Sequence, residues 1–368
     1  MKILWYTDTH FGLSGAFSRP SSSGYTSRLD ETLELHSWVA DLVKEHQPDL
    51  TIHGGDIYKP QIVLHGVEVS ASTRGTSKVV RASKMHLTLL GNHDYITKDT
   101  KVTAIDWLDE KEGSKVIKMV DFMEVPDEDV LLVFCPYVWD YSHVVRKMEE
   151  ELSRDYKDIY FFGHAEIGGA LNSMVMDLGS GETHKHYSEN SNSVPVDLLS
   201  QFTMAFNGHH HIPQKPAENV YLTGSLQQFT VTEYSPDMPR GVYILDTETK
   251  ELEFIENKIT PEIVRVENNL EKLGPLPDNT YVIYYYNPKD IEKEDLIPHL
   301  QRFKDYKAKP IGTEKFKPIS SVDFESKEED YAGMYKEYLE TVAFDSKEME
   351  KEVRERGLKT VKKAEDTE

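Results

Sequence analysis

The chain has 368 residues, a formal net charge of −22 and 38% hydrophobic residues. This length allows a large core and about two domains, and the acidity argues against a protein that coats nucleic acid through basic patches. Cys135 is the single cysteine, which excludes an intrachain disulfide and gives no sign of an oxidising compartment. Because no apolar run is long enough to cross a bilayer and the first residues lack a signal-like cleavage site, we expect a cytoplasmic protein.

Over the first two-thirds of the chain, the predicted strands and helices alternate. Residues 2–6 are predicted as a strand, and the Gly- and Ser-rich residues 12–27 as a long loop. Helical spacing of apolar residues begins at Leu29, and Pro48 ends that helix. The later elements are strands at 50–52 and 87–90, a helix at 103–108, a strand at 131–135, a helix at 138–152, strands at 159–162, 204–206 and 220–222, and a hairpin over 241–255. This order predicts an α/β fold with a two-layer β core and helices outside.

After about Pro261 the pattern changes. Residues 262–312 contain a strand-like run at 280–286 and a helix-like run at 291–303, which predicts a small α+β domain. From Asp323 onward the chain is charged, and apolar residues between Tyr331 and Val342 recur at helical spacing. We therefore predict three segments, a main domain over 1–261, a small domain over 262–318 and C-terminal helices over 319–368.

Five short runs end in side chains that bind metals, and each follows a β-like apolar stretch. Mixed carboxylate, amide and imidazole ligands favour Mn²⁺, Fe²⁺ or Zn²⁺ over a structural thiolate site. Each run alone is typical of a turn or a packed core, but an ordered set of five is improbable by chance. Open α/β sheets place their sites at the ends of strands, so we expect these side chains to meet. The runs are Asp8-Thr9-His10, Gly54-Gly55-Asp56, Gly91-Asn92-His93-Asp94, Gly163-His164 and Gly208-His209-His210-His211.

Spacing within the runs indicates which side chains act together. In an extended chain, residues i and i+2 point the same way, so Asp8 and His10 can reach one ion. His209 and His211 have the same spacing, and the histidine between them points away. Two glycines before Asp56 allow a tight turn that exposes its carboxylate, whose two oxygens can bridge two ions.

The order Asp-x-His, Gly-Asp, Gly-Asn-His-Asp, Gly-His and Gly-His-x-His resembles the calcineurin-like metallophosphoesterase superfamily. Within it, the chain most resembles the SbcD-like DNA repair nucleases, especially bacteriophage recombination endonuclease subunits. Thr223-Gly224-Ser225, the run from Pro239 to Asp246, and the small domain followed by helices favour that branch. The resemblance is strong over residues 1–246 and architectural beyond them. It implies a β-sandwich flanked by helices, with the small domain as a cap.

The resemblance also implies two divalent ions, Mn²⁺ first, with Mg²⁺, Fe²⁺ or Zn²⁺ as alternatives. These ions would activate a water for attack on phosphorus. Asp56 would bridge them, and His93 would stabilise the transition state or protonate the departing sugar oxygen. Asp94 would orient His93, unless it only caps the loop. The implied ligands are Asp8, His10, Asp56 and His211 for one ion, and Asp56, Asn92, His164 and His209 for the other.

The implied activity is hydrolysis of phosphodiester bonds in double-stranded and single-stranded DNA, by an exonuclease or endonuclease of repair and recombination. In SbcD-like proteins the C-terminal helices dock on an SMC-like (SbcC-like) ATPase. The stripe over residues 331–342 is the candidate contact, with packing on its own domain as the alternative. A homodimer is implied by resemblance only, and a phage-encoded protein would work in the host cytoplasm.

Lys59 departs from the family pattern, because well-known cellular members have a histidine there that is tied to exonuclease action. Lys59 could pair with a phosphate or simply face solvent, so the balance of exonuclease and endonuclease action stays open. Two other functional classes are alternatives: a small-molecule or cyclic-nucleotide phosphodiesterase, and a scaffold for the ATPase that has lost activity. The small domain and C-terminal stripe argue against the first, and the intact ligand set with His93 argues against the second.

Overall fold

The structure is a computed structural model that describes residues 1–12, 15, 17–59, 64–96, 102–125 and 128–311. These residues lie in one compact unit, Met1–Gly312. The elements of its first half are Lys2–Tyr6 (β1), Ser27–His46 (α1), Leu50–His53 (β2), Gly66–Ala82 (α2), His86–Leu89 (β3), Ser114–Ile117 (β4), Asp121–Val125 (β5), Val130–Cys135 (β6) and Ser142–Leu152 (α3).

The second half of this unit contains most of the strands. Single 3₁₀ turns occur at Asp106–Leu108 and Leu270–Leu273. The elements are Asp158–Gly163 (β7), Leu171–Met176 (β8), Thr183–Tyr187 (β9), Val196–Leu199 (α4), Met204–Asn207 (β10), Gln214–Ala217 (β11), Val220–Leu222 (β12), Gly241–Asp246 (β13), Leu252–Glu256 (β14), Glu262–Glu267 (β15), Thr280–Tyr286 (β16), Lys293–Leu300 (α5) and Asp305–Pro310 (β17).

Two six-stranded sheets form the centre of the described structure. The strand order is β14-β13-β1-β2-β3-β4 in the first sheet and β11-β12-β10-β7-β6-β5 in the second. Strands β1, β2, β3 and β4 run parallel to one another in the first sheet, as do β12, β10, β7 and β6 in the second. The carboxyl ends of the parallel strands therefore meet along one edge of each sheet, where α/β folds place their sites.

Apolar side chains alternate between the two faces of a strand, so one face packs against the other sheet and the opposite face packs against helices. In β1, Ile3 and Trp5 face the second sheet, and the ring centroid of Trp5 lies 5.7 Å from that of Phe162. Leu4 and Tyr6 face the other way and pack against α1 and α2. Helices α3 and α4 pack on the outer face of the second sheet. These layers confirm the predicted β-sandwich flanked by helices.

A separate parallel sheet of three strands, β15-β16-β17, follows the β13–β14 hairpin. Leu296 and Leu300 of α5 pack on it. The predicted strand at 280–286 and helix within 291–303 correspond to β16 and α5, whereas β15 and β17 were not predicted. The domain boundaries at 261 and 318 stay predictions. The segment over 319–368, with its stripe at 331–342, lies outside the described residues.

Helix α2 was missed because Gly, Ser, Thr and Val, which weaken helix propensity, are frequent in it. The Glu68 carboxylate accepts the backbone N–H of His65 at 2.9 Å and so stabilises the first turn. The helix predicted at 103–108 is only the short turn at Asp106–Leu108. None of the helices in the described ranges combines the length and apolar character that a membrane crossing needs.

Candidate metal centre

All five metal-binding runs lie at the carboxyl ends of parallel strands. The two sheets face each other, so these strand ends converge on one edge of the sandwich. The structure brings all seven predicted ligands together there. Asp8 and His10 follow β1, Asp56 follows β2, Asn92 follows β3, His164 follows β7, and His209 and His211 follow β10.

Four of these residues have left-handed backbone conformations. The φ angle is 52° at Asp8, 43° at His10, 57° at Asp56 and 69° at His209. Such angles are uncommon for residues with a Cβ atom, and they concentrate at functional sites. The expectation that an extended chain aligns Asp8 with His10 is wrong, since β1 ends at Tyr6 and both residues lie in the left-handed region.

Asp8, His10, Asp56 and His211 form the first ligand group. The Nε2 atom of His10 lies 2.9 Å from His211 Nε2, 3.6 Å from Asp8 Oδ1 and 3.7 Å from Asp56 Oδ2. One ligand atom of each residue lies within 4.8 Å of the other three. Metal–ligand bonds of about 2 Å place neighbouring ligand atoms about 3 to 4 Å apart, so this group can hold one cation.

Asp56, Asn92, His164 and His209 form the second ligand group. His164 Nε2 lies 3.3 Å from Asp56 Oδ2 and 3.3 Å from Asn92 Oδ1, and His209 Nδ1 lies 2.9 Å from the same amide oxygen. The Asp56 carboxylate thus belongs to both groups, and it is buried. His209 and His211, two residues apart, lie in different groups.

Backbone carbonyls orient two of the imidazoles. His10 Nδ1 donates to the carbonyl of Tyr58 at 2.9 Å, and His164 Nδ1 donates to the carbonyl of Gly54 at 2.6 Å. A donated Nδ1–H fixes the tautomer and turns the Nε2 lone pair toward the site. Histidines that bind metals show this pattern of an outer acceptor.

Glutamates orient the other two imidazoles. Glu233 Oε1 lies 3.1 Å from His211 Nδ1, and Glu166 Oε2 lies 3.0 Å from His209 Nε2. The sequence reasoning missed both glutamates. Glu166 comes two residues after His164, a spacing that could have indicated it, whereas Glu233 lies far from every metal-binding run and carries no such signal.

Arg240, from the run that favoured the SbcD-like branch, supports the same region. Its guanidinium donates to the backbone carbonyls of His211 at 2.6 Å, Ser225 at 3.0 Å and Glu233 at 2.5 Å. Hydrogen bonds from a charged donor are stronger than neutral ones. Arg240 therefore fixes the backbone that carries His211 and Glu233.

The negative charges of the site and one buried carboxylate oxygen without a hydrogen-bond partner favour binding of a cation. Asp8 Oδ1 is buried without a hydrogen-bond partner and lies against the first ligand group, and such an atom is costly unless an ion satisfies it. Burial alone would lower the pKa of His164, but Asp56 and Asp8 raise it to about 9. The carboxylates thus stabilise a positive charge between them. The donor set suits divalent cations of the Mn²⁺, Fe²⁺ or Zn²⁺ class.

His93 lies at the mouth of the site. Its backbone N–H donates to Asp56 Oδ1 at 2.9 Å, its Nε2 lies 3.8 Å from Asp56 Oδ2, and its side chain is 26% exposed. Burial lowers the pKa of His93 to about 4 although Asp56 opposes the shift, so the ring is neutral at neutral pH. A neutral ring can donate one N–H toward a bound substrate, and the catalytic role of His93 stays a prediction.

Asp94 contacts the backbone of two ligand loops. Its Oδ2 accepts the N–H groups of Asp56 at 2.9 Å and Gly91 at 3.1 Å, and its Oδ1 accepts those of Ile57 at 3.0 Å and Tyr58 at 3.2 Å. These contacts support the loop-cap alternative rather than the orientation of His93. The part of Asp94 in catalysis stays a prediction.

The sequence predicts that His210 points away from the ligands, and it leaves the role of Lys59 open. His210 Nε2 accepts the backbone N–H of Ile167 at 3.0 Å and its Nδ1 lies 2.8 Å from Asn172 Oδ1, so both ring nitrogens are engaged away from the ligand groups. Lys59 is half-buried and lines a small cavity with His10, where burial lowers its pKa. This position does not match a fully solvated lysine.

Comparison with known proteins gives one family match and weak structural similarities. No curated protein matches the chain significantly. A solved NAD nucleotidase from Haemophilus influenzae has 10% identity and a TM-score of 0.35, and the match covers 70% of this chain and 49% of that one. A Vps29 single mutant from Entamoeba histolytica has 10% identity and a TM-score of 0.29, with 70% and 100% covered. Residues 1–213 match the family model for calcineurin-like phosphoesterases, which is more than half of the chain. The chain therefore belongs to the calcineurin-like phosphoesterase family.

Proposed function

We propose that the protein is a two-metal-dependent nuclease that hydrolyses phosphodiester bonds in DNA. The observation that carries the hydrolytic part is the position of Asp56 Oδ2, 3.7 Å from His10 Nε2 and 3.3 Å from His164 Nε2, between the two ligand groups. Divalent ions in these groups, Mn²⁺ first, would lower the pKa of a water and offset charge on the phosphate oxygens.

The protein side chains around the ligand groups have separate tasks in this proposal. Glu233 and Glu166 orient imidazoles, and Asp94 fixes the loop that carries Asp56. His93 is partly exposed and its Nε2 lies 3.8 Å from Oδ2 of the shared carboxylate, so its neutral ring is suited to donate a hydrogen bond to the departing oxygen.

The openness of the site supports a polymeric substrate. The side chains of His93 and His211 are 26% and 25% exposed. A nucleic-acid strand can pass over these partly exposed side chains. The motif order that resembles SbcD-like nucleases supports the same choice.

We also propose that an SMC-like ATPase assists this nuclease. A net charge of −22, with acidic residues outnumbering basic ones, disfavours binding to DNA phosphates, so a partner that holds DNA would complement the chain. The apolar stripe over residues 331–342 supplies a sequence-based candidate for the contact. The homodimer belongs to this proposal by resemblance alone.

The direct test is Mn²⁺-dependent release of nucleotides from end-labelled linear DNA, duplex and single-stranded, by the wild type and His93→Ala. Release by the wild type alone supports the nuclease. Turnover of bis(4-nitrophenyl) phosphate without release from DNA would show an active metal core that lacks either its ATPase or a DNA substrate. Inactivity toward DNA after the ATPase is added would reject the nuclease in favour of a small-molecule phosphodiesterase.

A further inference from the structure

Three aromatic side chains form a row that begins beside the second ligand group. The ring centroid of Tyr137 lies 5.4 Å from that of His209. Trp139 lies 5.0 Å from Tyr137 at an interplanar angle of 83°, and Tyr95 lies 6.0 Å from Trp139. Tyr137 and Tyr95 are half-buried, whereas Trp139 is 41% exposed. This aromatic row (Tyr95, Tyr137 and Trp139) thus leads from a candidate metal ligand to the surface.

Hydrogen bonds hold the backbone of the aromatic row in place. Tyr95 Oη donates to the carbonyl of Tyr137 at 3.0 Å. Asn192 Nδ2 donates to the carbonyl of Trp139 at 2.7 Å, and Asn192 Oδ1 accepts the backbone N–H of Tyr141 at 2.9 Å. The exposed indole therefore stands on a segment that is fixed on both sides, which reduces the entropy lost when a ligand binds.

The chemistry of the row fits a nucleobase. Aromatic side chains offer a stacking face to every base, and this contact does not need positive charge. The chain has 42 Lys and Arg against 64 Asp and Glu, so it is poorly equipped to bind a strand through its phosphates alone. Stacking beside the metal centre would supply binding energy for the strand that the overall charge of the chain does not supply.

We propose that Trp139 stacks on a nucleobase of the substrate strand next to the phosphodiester at the metal centre. This inference rests on the proposed function and narrows its substrate class to strands whose base at that point is unpaired. A base inside an intact duplex is already stacked on its neighbours. The enzyme should therefore prefer single-stranded DNA and frayed ends over blunt, base-paired ends.

The test uses a single-stranded oligonucleotide and its counterpart with abasic residues on both sides of the cleavage site. The preference of an enzyme is its kcat/KM on the first divided by that on the second. Trp139→Ala should lower this preference about tenfold, whereas Trp139→Phe, which keeps an aromatic face, should retain most of it. Met119→Ala, which removes another exposed apolar side chain (78% exposed), is the matched control.

An unchanged preference in Trp139→Ala, with a normal melting temperature, would overturn the inference. Absence of cleavage by the wild type even with the ATPase added would contradict the proposed function instead, and a binding measurement would then test the stacking inference by itself. Fluorescence anisotropy with the same oligonucleotides should show about tenfold weaker binding of the base-bearing strand by Trp139→Ala at every salt concentration. Equal binding by the wild type and the variant would reject stacking whatever the catalytic result.

Discussion

Glu233 holds His211 from the side opposite the metal centre. Its Oε1 lies 3.1 Å from His211 Nδ1, while His211 Nε2 lies 3.7 Å from Asp8 Oδ1. The other oxygen of Glu233 accepts the backbone N–H of Phe229 at 2.8 Å, so the carboxylate is itself fixed. The position of the His211 imidazole therefore depends on Glu233, which is not itself a candidate metal ligand.

We predict that Glu233→Gln weakens Mn²⁺ binding about 10- to 100-fold, because the amide orients the imidazole less firmly and makes it a weaker base. Isothermal titration calorimetry would measure the change. Glu166→Gln should weaken binding by a similar factor through His209, and Glu218→Gln on the surface serves as the control. Unchanged affinity in both Glu233→Gln and Glu166→Gln would contradict the assigned roles.

His93 and Asp56 should separate catalysis from metal binding. His93→Ala should keep both ions and lower kcat by about 10² to 10³, as expected for loss of one hydrogen-bond donor to the transition state. Asp56→Ala should lose metal, since its carboxylate belongs to both ligand groups. Metal content by mass spectrometry, together with nucleotide release from labelled DNA, measures both. Cleavage at the normal rate by His93→Ala would remove His93 from the chemistry.

Asp94→Ala should destabilise the fold as well as the site. The substitution leaves four backbone N–H groups without their carboxylate acceptor, which costs about 3 kcal/mol or more in the free energy of unfolding. Urea unfolding of the metal-free protein would show the loss, and metal occupancy should fall with it. A variant of normal stability and metal content that is inactive would instead support a catalytic role for Asp94.

Local sequence predicted the parts of the fold whose apolar pattern is strong. Strands β1, β6 and β7 are continuous apolar runs and were all recognised. Strand β9, Thr183–Tyr187, is exposed along its whole length, so no apolar face could reveal it. It is a strand because it pairs antiparallel with β8, and local composition does not predict such pairing.

The same distinction applies to the site. The seven ligands were predicted because each stands in a run of Gly, Asp, Asn and His at the end of a strand. The role of Glu233 could not be predicted, because it depends on tertiary packing that brings its loop to His211. The left-handed backbone at Asp8 and His10 was also missed, since regular periodicity describes only extended or helical chain.

Buried histidines outside the metal centre should make stability fall in acid. Burial lowers the pKa of His36 to about 4 and that of His86 to about 3, and Lys78 adds to the shift at His36. Between about pH 6.5 and pH 4 the unfolded chain binds a proton at each ring that the folded chain does not, so stability declines as pH falls. Each group contributes a slope of about 1.4 kcal/mol per pH unit.

Urea unfolding at a series of pH values would test this dependence. His36→Leu should flatten the decline by up to the contribution of one ring. His143→Asn on the surface of α3 controls for the loss of a histidine as such. An unchanged slope in His36→Leu would mean that His36 does not stay neutral in the folded protein.

The apolar stripe over residues 331–342 carries the prediction about the ATPase. Tyr335→Glu combined with Leu339→Glu would place two charges in the stripe and should abolish co-purification with the SMC-like ATPase. Hydrolysis of bis(4-nitrophenyl) phosphate should persist, because the substitutions lie far along the sequence from every ligand. Retained co-purification would reject the stripe as the docking surface.

The left-handed backbone at Asp8, His10, Asp56 and His209 has a consequence for how this protein can change. A residue with a Cβ atom in that region destabilises the fold, and glycine would relieve the strain. At these positions selection for thermal stability therefore favours glycine, whereas selection for catalytic turnover favours the metal ligands. A lineage that no longer needed hydrolysis would gain stability by losing its ligands first, so an inactive descendant should show glycine at these turns before its core diverges.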